Sequence, residues 1–111
     1  MKKDTSYLEY ILYDVLGHID GITSQSMFSG WGIYKDNAII AIITDSELYF
    51  KTNKELKEKY IHNDYHPFSY DRNGKTVHLN YMSVKAEDLE NKEEIERRVE
   101  ESYEVSIEKI K

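Results

Sequence analysis

The apolar positions change period several times along the chain, and those changes mark out its elements. Over residues 4–17, Leu8, Ile11, Leu12 and Val15 recur at helical spacing until Gly17 stops the run. Ser6 and Glu9 stand at capping-box distance, with Asp4 and Thr5 as alternative caps. At about 100° per residue, Tyr10 falls nearly opposite the apolar stripe, with Tyr7 and Tyr13 beside it. From Ser24 the period becomes two. Residues 26–35 read as a strand interrupted by Gly30 and Gly32, which predicts a bulge or a close backbone approach. Asp36-Asn37 has the chemistry of a type I′ hairpin. Ala38 to Thr44 is apolar on both faces, as in a central strand. Asp45-Ser46 then turns the chain into Glu47 to Thr52, with Leu48 and Phe50 facing one way and Tyr49 and Lys51 the other.

Asn53 is placed to cap a short helix reaching Ile61, carried by Leu56 and Tyr60. After Pro67, strands at 68–72 and 75–82 flank Asn73-Gly74, the strongest hairpin signal in the sequence. Val77, Leu79 and Tyr81 alternate toward the expected core. The closing helix starts near Asn91, with Glu94 at capping-box distance. Its apolar stripe is Ile95, Val99, Tyr103, Ser106, Ile107 and Ile110. Glu93–Arg97 and Glu94–Arg98 form expected i,i+4 pairs. With no repeat, linker or low-complexity stretch, residues 1–111 read as a single α+β domain. The expected fold has two layers, with helices on one face of a five-stranded antiparallel sheet, in the order α-β-β-β-α-β-β-α.

Composition narrows the function. Cysteine is absent from the 111 residues, which removes disulfides and thiolate chemistry and fits a reducing cytoplasm. No apolar signal segment follows the N-terminus, and no run approaches the ~20 residues that span a bilayer. A cytoplasmic protein with no membrane partner is expected. The formal net charge is −6. From Glu87 onward ten acidic residues face five basic ones, so nearly all the imbalance lies in the tail. An acidic tail repels phosphates, which argues against direct DNA binding.

Candidate chemistry is sparse. His62 and His66 are four apart with Asp64 between them, but Pro67 and Asn63-Asp64 end the helix that would align them, and no third metal ligand follows. His18 follows the helix-stopping glycine, and His78 alternates outward on a strand. Ser29 lies in Phe-Ser-Gly-Trp-Gly and lacks the elbow of a serine nucleophile. Gly30-x-Gly32 lacks the third glycine and the helix of a dinucleotide fingerprint. The glutamates of the last helix lie on its solvated face, where nothing raises a carboxyl pKa for acid catalysis. No cofactor, metal or catalytic residue is expected. Surfaces remain: Tyr7, Tyr10 and Tyr13 on one helix, and Trp31 beside its glycines, are candidates for contact with a protein partner or a second copy. The alternative for the tyrosines is that they wrap the edges of the core.

The ordered motifs resemble the TfoX amino-terminal domain family, named for a bacterial regulator of DNA-uptake competence. The residues that carry the likeness are Met27, Phe28, Gly30, Trp31, Gly32, Ile33 and Tyr34, then Asp45, Leu48, Tyr49, Phe50 and Lys51, then Pro67, Phe68 and Tyr70, with Tyr81 closing the last strand. Ser29 stands where the family has a glycine, and Gln25-Ser26 where many members carry a basic residue. The resemblance implies a secretion-chaperone-like fold, no catalytic residues, and a non-enzymatic protein-interaction module akin to the amino-terminal part of a competence and transcription regulator. Two alternatives follow from other premises. One is a chaperone-like binder of an extended peptide, for which an exposed apolar groove would speak. The other is a small-ligand-binding domain or enzyme, for which a deep pocket lined by His78, Tyr81 and Trp31 would speak.

Overall fold

The computed structural model describes residues 5–27 and 30–108. Asp4, Phe28, Ser29 and Ile110, named above, lie outside the described residues. The elements run α1 (Ser6–Glu9), a π-helical segment (Tyr10–Val15), β1 (Ile22–Ser26), β2 (Gly30–Lys35), β3 (Ala38–Thr44), β4 (Glu47–Lys51), α2 (Lys54–His62), β5 (Pro67–Arg72), β6 (Lys75–Ser83), α3 (Ala86–Leu89) and α4 (Lys92–Glu108). The strands form one antiparallel sheet in the order β1-β2-β3-β4-β6-β5. The α+β class with a single antiparallel sheet is as expected. The sheet has six strands where five were expected, because residues 22–26 form a separate edge strand. The short α3 also adds a helix to the expected order.

Turn chemistry behaves as the sequence implies. Asp36 and Asn37 both have positive φ, at 47° and 71°, and so do Asn73 at 51° and Gly74 at 79°. Positive φ at both central residues is the type I′ signature that matches strand twist. Asp45 and Ser46 also have φ of 51° and 58°, so three hairpins use the same device. Asn53 caps α2, its Oδ1 accepting from Leu56 N–H at 2.8 Å. Asn91 does the same for α4, accepting from Glu94 N–H at 3.2 Å. At the first helix Thr5 takes the cap position without a side-chain hydrogen bond, one residue ahead of the expected Ser6.

The first helix departs from expectation in its interior. From Tyr10 to Val15 it winds as a π-helix, and Leu16 N–H bonds back five residues to the Ile11 carbonyl at 2.8 Å. Each residue then turns the chain less than in an α-helix, which widens the buried face. Leu8, Ile11, Val15 and Leu16 are buried, and Tyr7, Tyr10 and Leu12 pack against the same cluster. Tyr10 is therefore not opposite the stripe.

The core cluster joins these residues to Ile33, Ile40, Ala41, Ile43, Leu48 and Phe50 of the sheet and Ile95 and Val99 of α4. Register places Ile33 beside Ala41 and then Tyr34 beside Ile39, so Ile40 is the extra residue of a β-bulge. The bulge lets both Ile40 and Ala41 enter the core, while Ile39 and Ile42 face away from it. On β6 the residue in the core is Met82, fully buried opposite Phe50. Leu79 and Tyr81 instead face the other side, a correction to the expected alternation. The physical reason is that the sheet is apolar on both faces, so period-two patterning cannot say which face the helices cover.

Candidate functional site

The helix-free side of the sheet holds a concave pocket of about 540 Å³. Strand β4 ends at Lys51, whereas β6 pairs with it only from Tyr81 to Ser83. The β5–β6 hairpin therefore runs on past β4, and Phe68, Leu79 and Tyr81 line one hollow with Ile39 and Ile42 of β3. Ser26, Met27, Gly30, Trp31, Ile43 and Thr44 also line it, and none of the described lining residues is charged. Pockets of roughly 300–1,000 Å³ with apolar walls and few polar groups are the usual form of a binding site.

The two glycines of β2 hollow this surface, each for a different reason. In register, Gly30 lies beside Thr44 and Gly32 beside Ile42. A Cβ at Gly30 would stand 1.7 Å from the Ile43 carbonyl oxygen, a backbone atom that cannot step aside. A Cβ at Gly32 would meet Met27 Sδ at 3.0 Å and the edge of the Tyr34 ring at 3.1 Å. Gly30 thus sets a backbone approach, and Gly32 leaves room over which Met27 and Tyr34 lie. Met27 is 44% exposed at the rim. The Tyr81 phenol is raised above its usual pKa by burial and, second, by Tyr34. It stays a neutral hydroxyl at physiological pH.

An aromatic row continues from the pocket. Phe68 meets the Tyr49 ring edge-on at 5.3 Å between centroids and stacks on Tyr70 at 6.2 Å. Tyr49 is buried and donates from its hydroxyl to Glu47 Oε2 at 2.9 Å. Burial first, and then that hydrogen bond, push its pKa up to about 12. Lys51, half-buried, pairs in register with Tyr81, and Pro67 with Met82. Leu48 is in the core. Among the residues that carry the family likeness, the pocket thus gathers Met27, Gly30, Trp31, Phe68 and Tyr81; Gly32 and Tyr34 adjoin it, and Tyr49 and Tyr70 extend it.

The other candidate residues are dispersed. Tyr7 and Tyr10 are half-buried, their rings 6.1 Å apart against the core, while Tyr13 is 72% exposed. The three do not form one open patch. Trp31 pairs with Ile43, packs against the core and also lines the pocket. Tyr81 lines it too, but His78 does not: its Nδ1 sits 2.6 Å from Ser69 Oγ on the exposed β5–β6 hairpin. His18 approaches Glu96 at 3.4 Å, and His66 approaches Glu47 at 3.6 Å. Among the described residues no three metal-ligating side chains converge.

On the helical side lies a feature that sequence patterning missed. Arg98 is fully buried. Its Nη1 donates to the Ser83 carbonyl at 3.2 Å and its Nη2 to the Met82 carbonyl at 3.1 Å. The guanidinium lies 4.4 Å from the Tyr60 ring centroid, 5.0 Å from Phe50 and 5.5 Å from Tyr65. Its Nε has no acceptor among the described residues. Burial lowers its pKa from the usual arginine value, against the pull of Tyr60 and Glu101. The ion pair expected between Glu94 and Arg98 is made by Arg97 instead, which bridges Glu94 and Glu101. Ser102, also fully buried, donates to the Lys51 carbonyl at 2.8 Å. Arg98 and Ser102 thus tie α4 to the ends of β6 and β4 by polar contacts.

Taken together, these elements define a small α+β domain with helices on one face of an antiparallel sheet and a hollow apolar pocket on the other. The chain matches the TfoX N-terminal domain family over residues 14–106, and it belongs to that family. No curated protein is significantly similar to it. Among the described residues, no helix is long and apolar enough to cross a membrane.

Proposed function

We propose that this chain is a non-enzymatic protein-interaction module of the TfoX kind, and that its concave pocket receives apolar side chains of a partner protein. The observation that carries the reading is the uncharged lining of that pocket, open on the helix-free side. Proton transfer and nucleophilic attack need a general acid or base near the reacting atoms, and among the described residues the lining offers the hydroxyls of Ser26, Thr44 and Tyr81 with no histidine, carboxylate or amine beside them. Burial of apolar surface is the interaction such a wall can supply. The acidic excess from Glu87 onward supports protein contact over direct contact with nucleic acid. On this reading, any effect on competence or transcription passes through protein contacts in the cytoplasm.

Selection of short displayed peptides on the full chain, with counter-selection on Leu79→Glu, tests the proposal. Bound peptides should carry aromatic or branched aliphatic residues and should lose affinity for the variant. Peptides that bind both proteins equally, or none selected at all, would overturn it. A second reading, a pocket for a small apolar molecule, draws on Trp31 and Tyr81 both lining the cavity. Saturable binding of a small aromatic compound that survives deletion of any peptide contact would favour it.

A further inference from the structure

We propose that β1 pairs with β1 of a second copy of this chain, antiparallel about a two-fold axis, joining two six-stranded sheets edge to edge. The inference is separate from the pocket and rests on how the two ends of the sheet differ.

The hydrogen-bonding parity of β1 follows from its ends. Gly21 O accepts from Asp36 N–H at 3.0 Å, and Met27 N–H donates to Gly30 O at 2.9 Å. With the observed register, Thr23 and Gln25 are the residues that exchange hydrogen bonds with Tyr34 and Gly32. Ile22 and Ser24, which alternate with them, direct their N–H and C=O groups away from β2. Among the described residues β1 has no neighbour in the sheet on that side.

Natural sheets defend such edges with proline, charge or irregularity, because a free edge templates another strand. The opposite edge does so. Strand β5 opens on Pro67, shifts register between Pro67 and Ser69, and carries Asp71 and Arg72. Strand β1, Ile22-Thr23-Ser24-Gln25-Ser26, has none of these and keeps a regular register. It also lies in the longest charge-free stretch of the chain, residues 21–34, although 32% of all residues are charged.

An uncharged edge suits a second copy of itself, because pairing there keeps the charged parts of the two chains apart. Two copies of a chain with net charge −6 repel where their acidic surfaces meet. The acidic excess sits largely on α4, which packs over β3 and β4. Edge pairing sets five strand spacings between one β3 and the other, about 24 Å at ~4.8 Å each. That is roughly three screening lengths of ~8 Å at physiological salt. Across the two-fold axis, Thr23, Ser24 and Gln25 meet neutral hydrogen-bonding partners, and such a self-complementary contact closes at two copies.

Sedimentation velocity of the full chain is the test. The wild type should pass with rising concentration from 13.2 kDa toward twice that mass. Ser24→Pro removes an outward N–H and spares the bonds that Thr23 and Gln25 make to β2, so it should be monomeric with an unchanged circular dichroism spectrum. Thr23→Lys with Gln25→Lys keeps the backbone donors and gathers like charges at the axis, so it should dissociate at low salt and re-associate at high salt. Tyr13→Ser should dimerise as the wild type does. A wild type that stays monomeric at every concentration, or a dimer unaffected by both β1 variants, would overturn the proposal.

Discussion

Arginine 98 offers a quantitative test, because two substitutions that look conservative in different ways should rank against intuition. Arg98→Lys keeps the charge, and Arg98→Met keeps the approximate volume and discards the charge. The guanidinium spans two carbonyls, those of Met82 and Ser83, and lies against three rings. A lysine ammonium is a point donor on a different stem and cannot hold that planar arrangement. It loses one charge-assisted hydrogen bond, about 1.5–3 kcal/mol, while its own desolvation remains. It also loses most of the ring stacking, about 0.5–2 kcal/mol. The expected cost of Arg98→Lys is about 2–5 kcal/mol. Arg98→Met forfeits both hydrogen bonds and the stacking, yet it also removes the several kcal/mol spent on burying an ion that has no carboxylate in contact. The orphaned Nε disappears with it. A net cost of about 0–2 kcal/mol follows from these opposing terms. Urea unfolding read by circular dichroism measures both, with the midpoint falling by about 1–5 M for the lysine variant at a slope of roughly 1–2 kcal/mol per molar. If Arg98→Lys matched the wild type, or if Arg98→Met were the less stable of the two, the cation would be reached by water and the reasoning would fail.

Gly30→Ala should destabilise by about 3 kcal/mol or more, because the Ile43 carbonyl must move. Gly32→Ala should cost less than about 1 kcal/mol, since Met27 can rotate and the unfolded chain loses freedom; thermal melts that failed to separate the two would refute the distinction. Tyr49 and Tyr60 have folded-state pKa values raised to about 12 from 10.0, in both cases chiefly by burial. A raised pKa means that the fold favours the protonated phenol, so their contribution is complete below pH 10 and is lost as pH rises from 10 to about 12. Phenolate absorbance should show late-titrating tyrosines together with alkaline unfolding; titration of all ten near pH 10 in a still-folded chain would contradict this. Glu94 is held below its usual 4.5 by the Arg97 hydrogen bond. Glu94→Gln should therefore lower stability above pH 4.5 and converge with the wild type as acid protonates Glu94, a difference that paired melts across pH would reveal.

Local signals were legible in the sequence wherever a single residue type satisfies a single backbone demand. The three two-residue hairpins, the Asn53 and Asn91 caps and the both-faced apolar run of β3 are of this kind. Strand β1 escaped because an edge strand buries little: Ile22 is its one apolar residue and the half-buried Ser24 is polar, so the burial alternation leaves no apolar pattern in the sequence. Arg98 and Ser102 escaped because a charged or hydroxyl residue among glutamates reads as solvated helix surface until its neighbours are known. The pocket was partly legible through Trp31 and Tyr81. Its remaining walls, Ile39, Ile42 and Leu79, looked like ordinary core because only the tertiary arrangement shows which face lacks helices. His78 misled in the opposite sense, since its place on the hairpin pairs it with Ser69.

The π-helical turn has a consequence for how this chain is compared with others. The Leu16-to-Ile11 bond closes a loop that holds one residue more than an α-turn would. A kinsman lacking that extra residue could keep both anchors in place, so the chain ahead of the turn would be offset by one while everything behind it stayed in step. Ungapped alignment through Tyr10–Val15 would then equate side chains that occupy different positions around the helix. Tyrosines 7, 10 and 13 are the residues whose counterparts would be misassigned.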